Sequence, residues 1–198
     1  WAKQLGGANS NYIFSQSIDL DAAGNIYLTG DINGTVDFDP GPGVFNLTGN
    51  DMFVCKLDPN GALVWAKQFV TAGTIFKHSD ALALDRSGNI IITGHFGVAT
   101  DFDPGPGVFT LTPLSLEDIF VCKLDNNGNF LFAHQIANAS PEAGYDIITD
   151  ASGNYYLTGY FNGTLDFDPG PGTTNLTTVG PGIFIAKYAS NGNLVWAK

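Results

Sequence analysis

The chain is one unit written three times, and no other feature restricts its fold as much. Asp21-Ala-Ala-Gly-Asn25 returns as Asp85-Arg-Ser-Gly-Asn89 and as Asp150-Ala-Ser-Gly-Asn154, at intervals of 64 and 65 residues. Asp37-Phe-Asp-Pro-Gly-Pro-Gly43 returns at 101–107 and 166–172 with the same intervals. Trp1-Ala-Lys3 is echoed by Trp65-Ala-Lys67, Phe132-Ala-His134 and Trp196-Ala-Lys198. Cut at this last motif, residues 1–198 form a single repeat array with units 1–64, 65–131 and 132–198.

Each unit reads as strands joined by tight turns. Ser17 to Asp21 leads through a Gly-Asn turn into Ile26 to Thr29, and Asp51 to Leu57 turns at Pro59-Asn-Gly61 into Leu63 to Lys67. Gly and Asn tolerate a positive φ, so such turns between short β-formers predict hairpins. No stretch keeps apolar residues at helical spacing without a Gly or Pro breaking it. In the third run Phe53, Cys55 and Leu57 share one face and Met52 and Val54 the other, so both faces are apolar. Sheets covered on both sides suit stacked blades. A β-solenoid, the competing reading, repeats over shorter coils. The expectation is an all-β, propeller-like array of three blades of roughly 64–67 residues, part of a larger ring or repeat assembly because propellers use four or more blades. The Asp-Phe-Asp-Pro-Gly-Pro-Gly stretch cannot continue a central strand, and is read as a rigid double turn capping a blade edge or end.

The order Asp-x-x-Gly-Asn, apolar triplet, Thr-Gly, then Phe-Val-x-Lys-Leu-Asp and a Trp strand resembles the bacterial beta-propeller repeat family known as SBBP. The matching stretches are Asp21 to Gly30 with Phe53 to Trp65, Asp85 to Gly94 with Phe120 to Phe132, and Asp150 to Gly159 with Phe184 to Trp196. The insert looks like the variant of Bacteroidetes-type secreted or cell-surface proteins. The resemblance implies a propeller scaffold, export and an extracellular or cell-surface location, and it carries no catalytic residue onto this chain.

With 19 acidic against 8 basic residues the formal charge is −11. Phosphate backbones and anionic lipid are met by basic surfaces, so nucleic acid is excluded as an expected partner, and no apolar run is long enough for membrane insertion by a helix. The expected partners are further copies or adjacent blades of the array, with a glycan or protein ligand as the alternative. The variable joins at 6–12, 71–78, 113–117 and 138–145 are where a dedicated ligand site would lie.

No catalytic motif stands out, so the chain is read as a non-enzyme: a structural or adhesive extracellular repeat protein, or alternatively a carbohydrate- or protein-binding module of a larger secreted protein. Calcium is the candidate cation, at the pairs Asp37 and Asp39, Asp101 and Asp103, Asp166 and Asp168, whose i,i+2 carboxylates beside turn carbonyls offer several oxygens. The competing role for these side chains is to accept the backbone N–H groups of the turn. Asp21, Asp85 and Asp150 are read as turn formers. Lys56, Lys123 and Lys187 share one slot and call either for a carboxylate from the insert or for a snorkelling geometry. The Trp residues are read as core. Cys55 and Cys122 fall in a slot that holds Ala186 in the third unit, so they are expected to be buried, unpaired thiols. His78, His95 and His134 sit at different phases of the repeat and suggest no zinc cluster.

Overall fold

A computed structural model describes residues 1–7, 10–73 and 77–198, the side chains of Ser10 and Asn11 excepted. The described residues carry strands and turns and no helix, as the broken periodicity requires. The first sheet holds β1 (Ser10–Leu20), β2 (Ile26–Asp37), β3 (Asn46–Leu57) and β4 (Leu63–Phe69) in that order, all antiparallel. The second unit supplies β5 (Lys77–Leu84), β6 (Ile90–Phe96), the short β7 (Thr100–Asp101) and β8 (Thr110–Leu111), β9 (Asp118–Leu124) and β10 (Phe130–Ile136). The third supplies β11 (Ala143–Thr149), β12 (Tyr155–Phe161), β13 (Thr164–Asp166), β14 (Asn175–Thr177), β15 (Gly182–Tyr188) and β16 (Leu194–Ala197). The second sheet runs β5-β6-β9-β10, the third runs β11-β12-β15-β16, and β7-β8 and β13-β14 are separate two-stranded hairpins.

The Trp-bearing strand is the fourth strand of the sheet that precedes it: Lys56 pairs with Trp65 and Lys187 with Trp196. A sheet therefore spans the region from Ser10 to Phe69, out of phase with units cut at Trp-Ala-Lys, as a cyclic repeat permits. The edge position changes one expectation. Trp65 and Trp196 are half-buried and Trp1 is 72% exposed, so the slot is a rim rather than core. An outermost strand has a neighbour on one side only, and its large side chain can lean on a single sheet.

Both faces of β6 and β9, the middle strands of the second sheet, are buried, as the double apolar pattern requires. Met52 and Val54 join Leu82, Ile90, Ile92, Phe120 and Cys122 in one core layer. Ile91, Ile119 and Val121 on the opposite face of the second sheet join Ile147, Leu157, Phe184 and Ala186 in the next. Phe69, Phe96, Phe102 and Phe120 are fully buried in the first layer, and each contributes on the order of 2–3 kcal/mol relative to exposure. Cys122 lies in the first of these layers and Cys55 on the other face of the first sheet, with Ile32, Phe38 and Phe53; both are fully buried and unpaired, and burial pushes the Cys55 thiol up to about 12.

Polar contacts stitch the seams along the first strands. Leu82 N donates to Ser17 Oγ at 3.2 Å, Leu84 N to Asp19 Oδ2 at 3.0 Å, and Thr149 Oγ1 to the Leu84 carbonyl at 2.6 Å. The Trp-Ala-Lys segment adds a clasp. A Cβ placed on Gly128 would lie 3.0 Å from Lys67 and 3.3 Å from the Trp65 ring, and the same atom on Gly61 would lie 2.9 Å from Trp1. Both glycines have φ of +75°, so conformation and close approach each call for glycine. Trp1-Ala-Lys3 thus lies against the first sheet as Trp65 and Lys67 lie against the second.

Each of the two outer faces leaves apolar residues uncovered, although the first insert covers Phe53 and Cys55 on the first sheet. Ile183 and Ile185 are 84% and 50% exposed, whereas Ile119 and Val121, at the same register in the second sheet, are 0% and 1% exposed beneath the third. On the other side Ile18 is 65% exposed, and its equivalents Leu82 and Ile147 are buried.

Candidate functional site

Two ends of the sheets carry polar chemistry, and they are built by opposite rules. At one end the Asp-x-x-Gly-Asn turns repeat. Asp85 Oδ1 accepts Ser87 N and Asn89 N at 2.9 and 3.0 Å while Oδ2 accepts the Asn89 amide at 2.8 Å, and Asp21 and Asp150 hold their turns in the same way. The repeated lysine finds its carboxylate here and not in the insert. Lys123 Nζ stands 3.0 Å from Asp85, Lys187 3.2 Å from Asp150 and Lys56 3.9 Å from Asp21. Lys56 and Lys187 also lie over the Tyr27 and Tyr156 rings. Ile91 takes the tyrosine's place in the second sheet, and Lys123 instead donates to the Ser190 carbonyl of the third, at 3.0 Å. The Asn154 amide, then backbone N–H groups and Lys187, hold the Asp150 carboxyl well below the usual range. An open hollow of about 650 Å³ lies among the three turns, lined by Asp19, Lys56, Asp85, Arg86 and Asp150 among others.

The inserts use their carboxylates on their own backbone. Asp37 Oδ1 accepts Asp39 N at 3.0 Å and Phe45 N at 2.8 Å, and Asp39 Oδ1 accepts Gly41 N at 2.7 Å. Asp101 and Asp103, and Asp166 and Asp168, repeat the pattern onto Phe109 N, Gly105 N, Thr174 N and Gly170 N. The Phe between each pair is fully buried against Phe53, Phe120 or Phe184, at centroid distances of 4.9, 4.7 and 4.8 Å. The inserts also join neighbouring sheets, since Asp101 N donates to the Val70 carbonyl and Phe102 packs on Phe69. Among the described residues no three His, Cys, Asp or Glu side chains are grouped to hold a metal ion.

The opposite end, where the first strands begin, holds residues that do not repeat. One residue slips register midway along β1 and near the start of β5 and β11, between Ser15 and Ser17, His78 and Ala81, and Gly144 and Asp146. The bulge explains the Thr-Gly motif: a Cβ at Gly30, Gly94 or Gly159 would collide with the carbonyl of Phe14, His78 or Ala143 across the pair. Bulges re-aim side chains. The extra positions are Gln16, Asp80 and Tyr145, and the β2-type slot beside them holds Asp31, His95 and Tyr160. A common backbone thus carries a different polar pair in each sheet.

These groups meet one another. His95 Nδ1 bonds Asp80 at 2.9 Å, and His78 Nδ1 reaches back to Asp31 of the first sheet at 2.7 Å. His78 and His95 are direct cross-strand partners with ring centroids 5.1 Å apart. Tyr160 OH donates to Glu117 at 2.7 Å and its ring stacks on Tyr145. The Asp31 hydrogen bond, with the charges of Asp80 and Glu117, raises the His78 pKa against the opposing effect of burial. Glu142, fully buried, accepts Asn138 N through Oε1, and burial with Asp118 nearby pushes its carboxyl up to about 8. Both Glu residues of the chain and two of its three His are here. Of the variable joins, 113–117 and 138–145 border this end; residues 8–9 and 74–76 of the other two lie outside the described residues. Sequence spacing concealed the pair because His78 and His95 meet across a hairpin with a bulge. The singularity of these residues within the repeat was the available signal.

The model of the family described as "Beta-propeller repeat" (SBBP) matches residues 1–38, ending where the first insert begins. A protein named "Uncharacterized WD repeat-containing protein L264", from Acanthamoeba polyphaga mimivirus, is 28% identical over 226 aligned positions, which cover 99% of this chain. The chain spans 16% of that relative's length. Both similarities point toward propeller-type repeat proteins. Neither extends to the narrower Bacteroidetes-type variant read from the insert.

Proposed function

We propose that the chain is a non-catalytic structural repeat, a stretch of propeller-like scaffold in an extracellular or cell-surface protein, whose sheets stack on further sheets of the same kind. The bare face of the third sheet carries this reading. Ile183 and Ile185 are equivalent to residues that the next sheet covers completely inside the chain. Asp146 adds a polar counterpart. It stands at the register of Ser17, whose Oγ accepts Leu82 N of the following sheet at 3.2 Å, and its own Oδ1 accepts Ile147 N at 2.9 Å. Exposed apolar faces of this kind mark interaction surfaces. The test is sedimentation of the chain over a range of concentrations, with Ile185→Asp as the variant. End-to-end association that the variant abolishes supports the stacking role. A wild-type monomer at all concentrations counts against it.

The alternative, a ligand-binding module, is favoured by one observation only: the unrepeated cluster where the first strands begin. Calcium at the Asp pairs belongs to either reading, and a melting temperature that shifts on chelation and recovers with Ca²⁺ alone is its expected sign.

A further inference from the structure

The two histidines of the unrepeated cluster are arranged as metal ligands usually are. Each imidazole has Nδ1 engaged by a carboxylate, Asp31 for His78 and Asp80 for His95. That bond fixes the tautomer in which Nε2 carries the lone pair and raises its basicity, the outer arrangement found around protein-bound zinc. No protein group among the described residues is bonded to either Nε2. The spacing also fits. A tetrahedral ion about 2 Å from each nitrogen sets the centroids of two imidazoles about 5 Å apart, and these rings stand 5.1 Å apart.

A second observation calls for positive charge. Asp31 is 3% exposed, and its Oδ1 is buried without a hydrogen-bond partner among the described residues. The carboxylates facing the cluster are Asp31, Asp80 and Glu117, with Asp51 behind them. The lysine that interacts with Asp31 and Asp51, Lys77, is tied to the Gly73 carbonyl at 3.1 Å. With neutral histidines Lys77 is the cation acting on Asp31 and Asp51, and a divalent ion on the two rings adds positive charge that offsets Asp31 and Asp80 through them.

We propose that His78 and His95 form a two-histidine site for a divalent transition ion of the zinc class, held through the two Nε2 atoms with water in the open positions. Imidazole nitrogens select such ions over Ca²⁺ and Mg²⁺, which take oxygen ligands. The site stands apart from the scaffold reading and needs no second copy.

The chain, stripped of metal and held at pH 7.5, is titrated calorimetrically with Zn²⁺ and separately with Ca²⁺. One Zn²⁺ per chain is expected, with affinity falling at least tenfold in His95→Gln and in His78→Gln. In the unaltered chain Zn²⁺ should protect His78 and His95 together from carbethoxylation, read by mass spectrometry, so the test does not depend on the variants folding. Zn²⁺ binding that both variants retain, modification of the two histidines unchanged by Zn²⁺, or Ca²⁺ binding at the same groups overturns the proposal.

Discussion

The two ends of the stacked sheets share one backbone and differ in what the repeat does to them. At the turn end the same aspartate, asparagine and lysine recur in every unit, and the Asp–Asn hydrogen bond of each turn has a counterpart in the next sheet, with a lysine beside it. At the other end equivalent positions hold Asp31, His95 and Tyr160, beside Gln16, Asp80 and Tyr145. A group copied in every unit is explained by what every unit must do, which is to close a turn and hold a seam. A group that appears once needs a reason of its own, and the fold supplies none, since neighbouring sheets form without it.

The comparison predicts that damage at the turn end is costly and damage at the cluster is cheap. The largest effect is expected from Asp85→Ala. Lys123 is 4% exposed and would lose its carboxylate while remaining buried, and the turn would lose three acceptor contacts. Removing one partner of a buried pair costs about 3–5 kcal/mol. Asp21→Ala should cost clearly less, because Lys56 is more exposed and 3.9 Å away. Denaturant unfolding of the two variants checks the order, and equal losses would break the argument that burial sets it.

Glu142 gives the next effect, and its sign is definite. The folded carboxyl is raised from 4.5 to about 8, so between those values the folded chain holds a proton that the unfolded chain has released. Stability therefore falls as pH rises through this window and levels off above it, with a slope of at most about 1.4 kcal/mol per pH unit. Glu142→Gln should flatten the profile and leave the variant the more stable at pH 8–9. Thermal melts across pH 4–9 read this directly.

Two smaller changes sharpen the contrast. Gly128→Ala meets a positive φ and the Lys67 chain at 3.0 Å, and should cost about 1–2 kcal/mol. Gly163→Ala shares the positive φ with nothing within 4 Å, so the difference between the two variants isolates the clasp. Tyr160→Phe at the cluster removes one hydrogen bond to Glu117, and a loss of about 1 kcal/mol or less in chemical denaturation is expected. A larger loss would move the cluster into the scaffold.

Legibility followed the same division. The Asp-x-x-Gly-Asn turns were readable because all their bonds close within five residues, and the two-faced burial of β3 and β9 was readable from alternation alone. The lysine partner was not. It lies across the sheet from Lys123, 38 residues away in sequence, so spacing offered the insert as readily as the turn. The Trp slot was misjudged because hydrophobicity does not distinguish a middle strand from an edge. His78 and His95 do not show as a pair in the sequence, since they fall at different phases of the repeat and meet only across a hairpin with a bulge.

The clasp of Trp65 and Lys67 over Gly128 has a consequence for how such a chain changes length over generations. Each unit brings one half of a joint at its beginning and the other half at its end. An in-frame duplication of one unit therefore inserts a complete joint and invents no new surface, and the array that results still has two unmatched faces. Length can drift by whole units without a compensating substitution, and the joins absorb smaller changes, since Trp1 and Gly61 are 60 positions apart and Trp65 and Gly128 are 63 apart with the same contact kept.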